Sequence, residues 1–201
     1  MAIALTPFAF VGVSFALALS PEITGRGVTL TQPVPFSHEH HAGGLGLDCR
    51  FCHGGVESSA VAGVPATETC MTCHSQIWTN AAMLAPVRAS FATGVPLRWK
   101  RVNALPDYVY FDHSVHVAKG IGCSTCHGNV DRMALMRQDA PLTMSWCLDC
   151  HRDPKPYLRS PDEVFAAEWG APADQAERGA RLLKQYHIAI RHLTDCSVCH
   201  R

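Results

Sequence analysis

A chain of 201 residues that balances 17 Lys and Arg against 17 Asp and Glu carries no formal net charge, which excludes the basic face that nucleic-acid binding requires. Only 8% of its residues are aromatic, and the 47% that are hydrophobic are inflated by one apolar stretch at the N-terminus. Ten cysteines and twelve histidines are the residues with chemistry to offer.

The apolar stretch, residues 2–20, reads AIALTPFAFVGVSFALALS and holds no charged side chain. A helix of that length reaches about 28 Å, close to the hydrocarbon thickness of a bilayer, and Pro7 stands near its start, where a helix tolerates it. Residues 1–20 are read as a single transmembrane anchor. The competing reading is a secretory signal peptide, because Ala16-Leu17-Ala18 resembles a cleavage box, although no basic segment precedes the run. Residues 21–35, with Pro21, Pro33 and Pro35, read as an extended linker.

Residues 36–53 read FSHEHHAGGLGLDCRFCH, and residues 111–127 read FDHSVHVAKGIGCSTCH, the same pattern with one residue deleted. A unit has been duplicated, histidines included. Residues 36–110 are the first unit with its connection, residues 111–171 the second, and residues 172–201 a C-terminal segment. A short helix is predicted around residues 77–89, and residues 152–172 are Pro-rich and irregular. Leu182, Leu183, Tyr186 and Ile190 fall at helical spacing, which predicts an amphipathic helix leading to the last cysteine pair. The fold class is mainly α and irregular, with few strands and low secondary-structure content.

All ten cysteines fall in pairs two residues apart, each followed at once by histidine: Cys49/Cys52/His53, Cys70/Cys73/His74, Cys123/Cys126/His127, Cys147/Cys150/His151 and Cys196/Cys199/His200. With twelve histidines in 201 residues, chance gives that result with a probability on the order of one in a million. Four-cysteine zinc sites need an even number of pairs and no histidine after each, and structural disulfides do not favour so tight a spacing. The spacing is that of c-type haem attachment, in which two thiols join the vinyl groups of a porphyrin and the next imidazole is the proximal iron ligand. Five such motifs predict five haems, and a core made largely of porphyrin.

A haem iron that only transfers electrons is best six-coordinate, so five distal ligands are wanted. The duplicated Phe-x-His-x-x-His supplies four, His38, His41, His113 and His116, whereas His40 has Val115 as its counterpart and reads as a surface or propionate-contacting residue. For the fifth, several candidates stay open: His187, nine residues before Cys196; His192, four before it; and Met133, Met136 or Met144, whose thioether would raise the potential. This spacing resembles that of small three- and four-haem cytochromes. The resemblance implies that His38 and His113 cap the haem attached just downstream, and that His41 and His116 reach to neighbouring haems.

The runs PVPFSHEHHAGGLGLDCRFCH, TCMTCHSQIWTN, LPDYVYFDHSVH and WCLDCHR resemble the five-haem cytochrome c subunit of alternative complex III, a bacterial membrane quinol oxidoreductase. That resemblance implies an electron-transfer subunit anchored in the inner membrane, with its haem region on the periplasmic or outer face. Its implied partners are integral membrane quinol-oxidising subunits, an iron-sulfur, molybdopterin-enzyme-like subunit, and a mono-haem cytochrome c as acceptor. Two other functions are expected to compete: a stand-alone membrane multihaem quinol dehydrogenase, and a multihaem reductase with one open haem.

Overall fold

The computed structural model describes residues 6–200. It begins with helix α1 (Thr6–Ala18), whose side chains are exposed throughout. Here the expectation of a spanning helix over residues 1–20 is corrected. Among the described residues no helix is long and apolar enough to cross a membrane, and residues 1–5 of the expected span lie outside them. Thirteen helical residues reach only about 20 Å. The helix stops because Ser20 is extended (ψ 154°) and Pro21 opens a separate turn, α2 (Pro21–Thr24), closed by Gly25 at φ 69°.

The segment expected as a free linker is held down. Gly27 N–H donates to Gln138 O (2.8 Å), Arg26 Nε donates to Asp139 O (2.5 Å), and Thr29 pairs antiparallel with Arg137. Next come a π-helix (Glu39–Gly44), α3 (Cys49–Cys52), α4 (Thr67–His74), a 3-10 turn (Ala82–Leu84) and α5 (Ala85–Thr93). The second unit answers with α6 (His113–Ala118), α7 (Cys123–His127), a 3-10 turn (Val130–Arg132) and α8 (Met144–Arg152). The chain finishes with two 3-10 turns (Lys155–Tyr157, Pro161–Glu163), α9 (Gln175–Gln185), another turn (Ile190–His192) and α10 (Cys196–Cys199). Sheet structure among the described residues is confined to four isolated bridges.

The duplication is visible in the helices. Unit one has one more residue than unit two between its second histidine and its first cysteine, and winds as a π-helix where unit two winds as an α-helix. An extra residue inserted in a helix is commonly absorbed in this way. The aromatic frame around the histidines is therefore the same in both. Phe36 and Phe111 sit edge-on to His38 and His113 (centroids 4.9 and 4.8 Å apart) and stack on His41 and His116, both at 4.4 Å.

Side chains bury little on their own account. The buried apolar residues are Val34, Val56, Leu84, Val87, Met133, Ala140, Leu158, Val164 and Leu182, few for a chain of this length. One cluster, Val34, Leu84 and Val87, seats α5 against α4 through Cys70 and Met71. In the C-terminal segment, α9 lies on the Lys155–Tyr157 turn: Gly179 approaches the Lys155 carbonyl, and the Gln175 amide donates to Lys155 O and Leu158 O, both at 2.9 Å.

Candidate functional site

Each Cys-x-x-Cys lies on a helix, making up α3 and α10, opening α7 and lying within α4 and α8, so its two thiols lie within one turn and the histidine follows directly. Asp48 caps α3 by accepting from Arg50 N–H, and Thr143 caps α8 by accepting from Trp146 N–H. None of the ten cysteines is in a disulfide.

The structure sets a motif histidine against a histidine of the duplicated pair four times. His38 faces His53 (ring centroids 6.4 Å, planes 8° apart), His41 faces His74 (6.2 Å, 69°), His113 faces His127 (6.3 Å, 3°) and His116 faces His151 (6.2 Å, 28°). Imidazole nitrogen bonds a transition metal at about 2.0–2.1 Å, so two imidazoles sharing one ion from opposite sides hold their centroids roughly 6 Å apart. All four separations fit. The differing plane angles are allowed, because each ring can turn about its own metal–nitrogen bond.

The other ring nitrogen tells which one is free to bind. Nδ1 lies near a backbone carbonyl in His41 (Ser37 O, 2.8 Å), His53 (Gly63 O, 2.7 Å), His74 (Ile77 O, 3.3 Å), His113 (Ala60 O, 2.8 Å), His116 (Asp112 O, 2.7 Å), His151 (Leu193 O, 2.8 Å) and His200 (Tyr108 O, 3.2 Å). A carbonyl only accepts, so Nδ1 carries the proton and donates it, leaving the Nε2 lone pair for a metal. Burial, and next the neighbouring His53, His41 and His127, pull the His38 pKa down to about 4. Burial likewise lowers His127 to about 4, with His113 and His53 adding to it, and lowers His116 as well. Neutral imidazole is the ligating form.

His127 departs from the carbonyl pattern. Its Nδ1 stands 3.0 Å from the side-chain amide nitrogen of Asn103, whose Oδ1 is buried without a partner. A ligating neutral His127 carries its proton on Nδ1, so the Asn103 amide must turn to present the oxygen. Nothing in the sequence marked Asn103, because it lies in the connection far from any motif.

The motifs also adjoin one another in space. The Cys49 and Cys123 side chains adjoin, bringing together the first motif of each unit. Burial raises Cys126 to about 12, with Cys150 and Cys147 contributing; burial and then Cys70 raise Cys52; burial and then Cys199 raise Cys147. Neighbour by neighbour, the motifs run second, first, third, fourth, fifth.

The sequence pattern treats the ten cysteines alike, and the structure does not. Cys73 and Cys196 are exposed, whereas the other eight are half-buried. Their motifs, the second and the fifth, stand at the two ends of the run, where another motif adjoins on one side only. Cys73 also lies on the outer side of α4, with the neighbouring exposed Thr72 hydroxyl donating to its Sγ at 3.8 Å, while its partner Cys70 turns inward to the Val34, Leu84 and Val87 cluster.

The fifth motif is held by backbone. Val109 pairs with His200, and Tyr110 N–H donates to Cys199 O (2.8 Å). The ring facing His200 is Tyr108, at 5.9 Å, and no ring contact links His187 or His192 to it among the described residues. His187 is exposed at φ 52°, His192 is exposed with Nδ1 3.2 Å from Asp195 Oδ2, and Met144 is 66% exposed at the start of α8. Met133 is buried at 1%, with its carbonyl accepting from Glu39 N–H, and Met136 is half-buried. His40, exposed, stacks on Trp78 at 6.1 Å.

Residues 109–201 match the family model of cytochrome c7 and related cytochrome c. That stretch, just under half of the chain, is similar to multihaem cytochromes c. A cytochrome of this kind carries covalent haem c with its iron and transfers electrons. The chain is also similar to the menaquinone reductase multihaem cytochrome c subunit of Nitratidesulfovibrio vulgaris, 34% identical over 97 residues. Those residues are 48% of this chain and 45% of the relative, so the chain spans just under half the length of the curated relative it matches.

Proposed function

We propose that this chain is a five-haem electron-transfer subunit of a membrane quinone oxidoreductase. The observation that carries it is the four opposed imidazole pairs, each made of one motif histidine and one histidine of the duplicated unit, at separations of 6.2–6.4 Å. On this reading the five cysteine pairs attach haem, with His53, His74, His127, His151 and His200 proximal and His38, His41, His113 and His116 distal. Bound haem supplies a one-electron Fe(III)/Fe(II) couple. The chain's own residues do the rest: carbonyls orient the imidazoles, burial keeps His38, His116 and His127 neutral, and the Cys49–Cys123 contact brings the two units together.

The alternative complex III reading has quinol oxidised in integral membrane subunits and electrons leaving through this cytochrome. An iron-sulfur, molybdopterin-like subunit would be a partner, and a mono-haem cytochrome or other periplasmic acceptor would receive the electrons. The resemblance of the quoted runs supports it. The opposite direction is supported by the relative, whose name describes a menaquinone reductase. A chain of adjoining haems conducts either way, so the partners set the direction. Purification from membranes in mild detergent tests the reading. It expects co-purifying membrane subunits and a pyridine haemochrome ratio near five per chain; four or fewer haems in the mature protein removes a motif, and a chain that purifies alone with quinol dehydrogenase activity replaces the complex with a stand-alone enzyme. In the intact complex, reduction of the haems by added quinol supports quinol oxidation, and their reoxidation by added quinone supports the reverse.

A further inference from the structure

Arg159 is among the most buried side chains in the protein, 2% exposed, and no ion pair among the described residues includes it. The nearest carboxylate to act on it, Glu163, is itself bonded to Arg178. Its Nη2 donates to Ser124 Oγ (2.8 Å) and Thr125 Oγ1 (3.2 Å), the two residues between Cys123 and Cys126, and Nη1 donates to Ala166 O (3.5 Å). The guanidinium lies 4.1 Å from the centroid of the Trp169 ring, and its Nε has no partner. Gly122 leaves the room it occupies, since a Cβ there would run into the guanidinium. Guanidinium remains protonated at any ordinary pH. A full positive charge is therefore held in a low-dielectric pocket against the third attachment motif, paired with no side-chain carboxylate among the described residues, where its field is weakly screened.

We infer that Arg159 raises the redox potential of the haem held by Cys123, Cys126 and His127, its buried cation favouring the reduced iron. This rests on the reading that those residues carry a haem, within the stretch that matches the cytochrome c7 family model. Gaining an electron lowers the net charge of the iron centre by one, and a fixed cation nearby stabilises that state over the oxidised one. Arg159 is a positioning residue: it grips the attachment helix through Ser124 and Thr125 and acts on the iron through space. The third motif adjoins both the first and the fourth, so a shift there alters the step between the two units.

The test is a spectroelectrochemical titration of the mature holoprotein carrying Arg159→Gln, Arg159→Met or Arg159→Lys. At the wild-type midpoint of the third haem, the charge-removing variants are expected to lower its reduced-to-oxidised ratio about tenfold, 59 mV for one electron, while the other haems hold theirs. Arg159→Lys, which keeps a charge without the planar fork, is expected to retain most of the potential. The affected component is identified as the one that turns high-spin in His113→Ala. Unchanged midpoints in Arg159→Gln and Arg159→Met with full haem content overturn the inference. So does Arg159→Lys shifting as far as they do, or loss of the third haem in both charge-removing variants, which makes the residue structural. Wild-type protein without covalent haem would instead sink the cytochrome reading itself.

Discussion

His38 and His113 hold the same place in the repeat and opposite their motif histidines, yet their Nδ1 atoms differ: His113 donates to Ala60 O of the first unit, and His38 Nδ1 is buried without a partner. Distal ligation is separate from thioether attachment, so His113→Ala or His116→Ala is expected to turn one low-spin haem high-spin while haem staining is unchanged. If neither variant alters the visible spectrum, the pair does not ligate. The residue types of this site were legible in the sequence because cysteine, histidine and their spacing have no cheaper explanation. What orients them was not. Six different residues supply the carbonyls for six of the paired histidines, and a backbone carbonyl leaves no mark on residue type. The exposure of Cys73 was equally hidden, since it depends on where the second motif stands in the folded run and not on the spacing within it. Asn103 could not be singled out either, since only the folded connection brings it to His127.

At the scale of elements, the deleted residue between the repeats was plain in the sequence, but the π-helix that absorbs it was not, because periodicity does not separate a widened turn from an α-helical one. The helix expected around residues 77–89 is the 3-10 turn Ala82–Leu84 running into α5, started by Pro86 in its first turn and ended by Gly94 at φ 70°. Likewise α9 ends at Gln185, so Ile190 lies in a separate turn and not on the helical face with Leu182. His187, at φ 52°, breaks the run just past it. The π-helix also packs tightly on the second unit, where a Cβ on Gly43 would meet the Asp131 carbonyl, a backbone atom that cannot swing aside. Gly43→Ala is therefore expected to cost about 1–3 kcal/mol, read as a lower denaturation midpoint of the holoprotein, whereas Gly12→Ala on α1, with open space at its Cβ, is expected not to lower that midpoint.

On the scale of the whole molecule, the two units are stitched at several levels: Cys49 to Cys123, Ala60 to His113, Glu39 to Met133, and residues 26–29 of the leading segment to residues 137–139. The last of these changes what the N-terminal stretch can do. Read from sequence, residues 21–35 were an extended linker between the apolar stretch and the first unit. In the fold, Arg26 and Gly27 are bonded to the second unit, so α1 departs from beside residues 137–139 and carries both units with it. Its apolar side chains are exposed all round, Phe8 at 77% and Phe15 at 67%, a surface suited to lipid or to apolar subunits more than to water. Removing residues 1–25 behind a cleavable signal peptide spares the Arg26 contact. The truncated protein is expected to keep its full haem content and dithionite-reducible spectrum, yet to assemble poorly with membrane partners and to exchange electrons slowly with quinone or quinol in membranes. Normal assembly and a normal rate after truncation would show that the stretch is no anchor, and the signal-peptide reading would take its place.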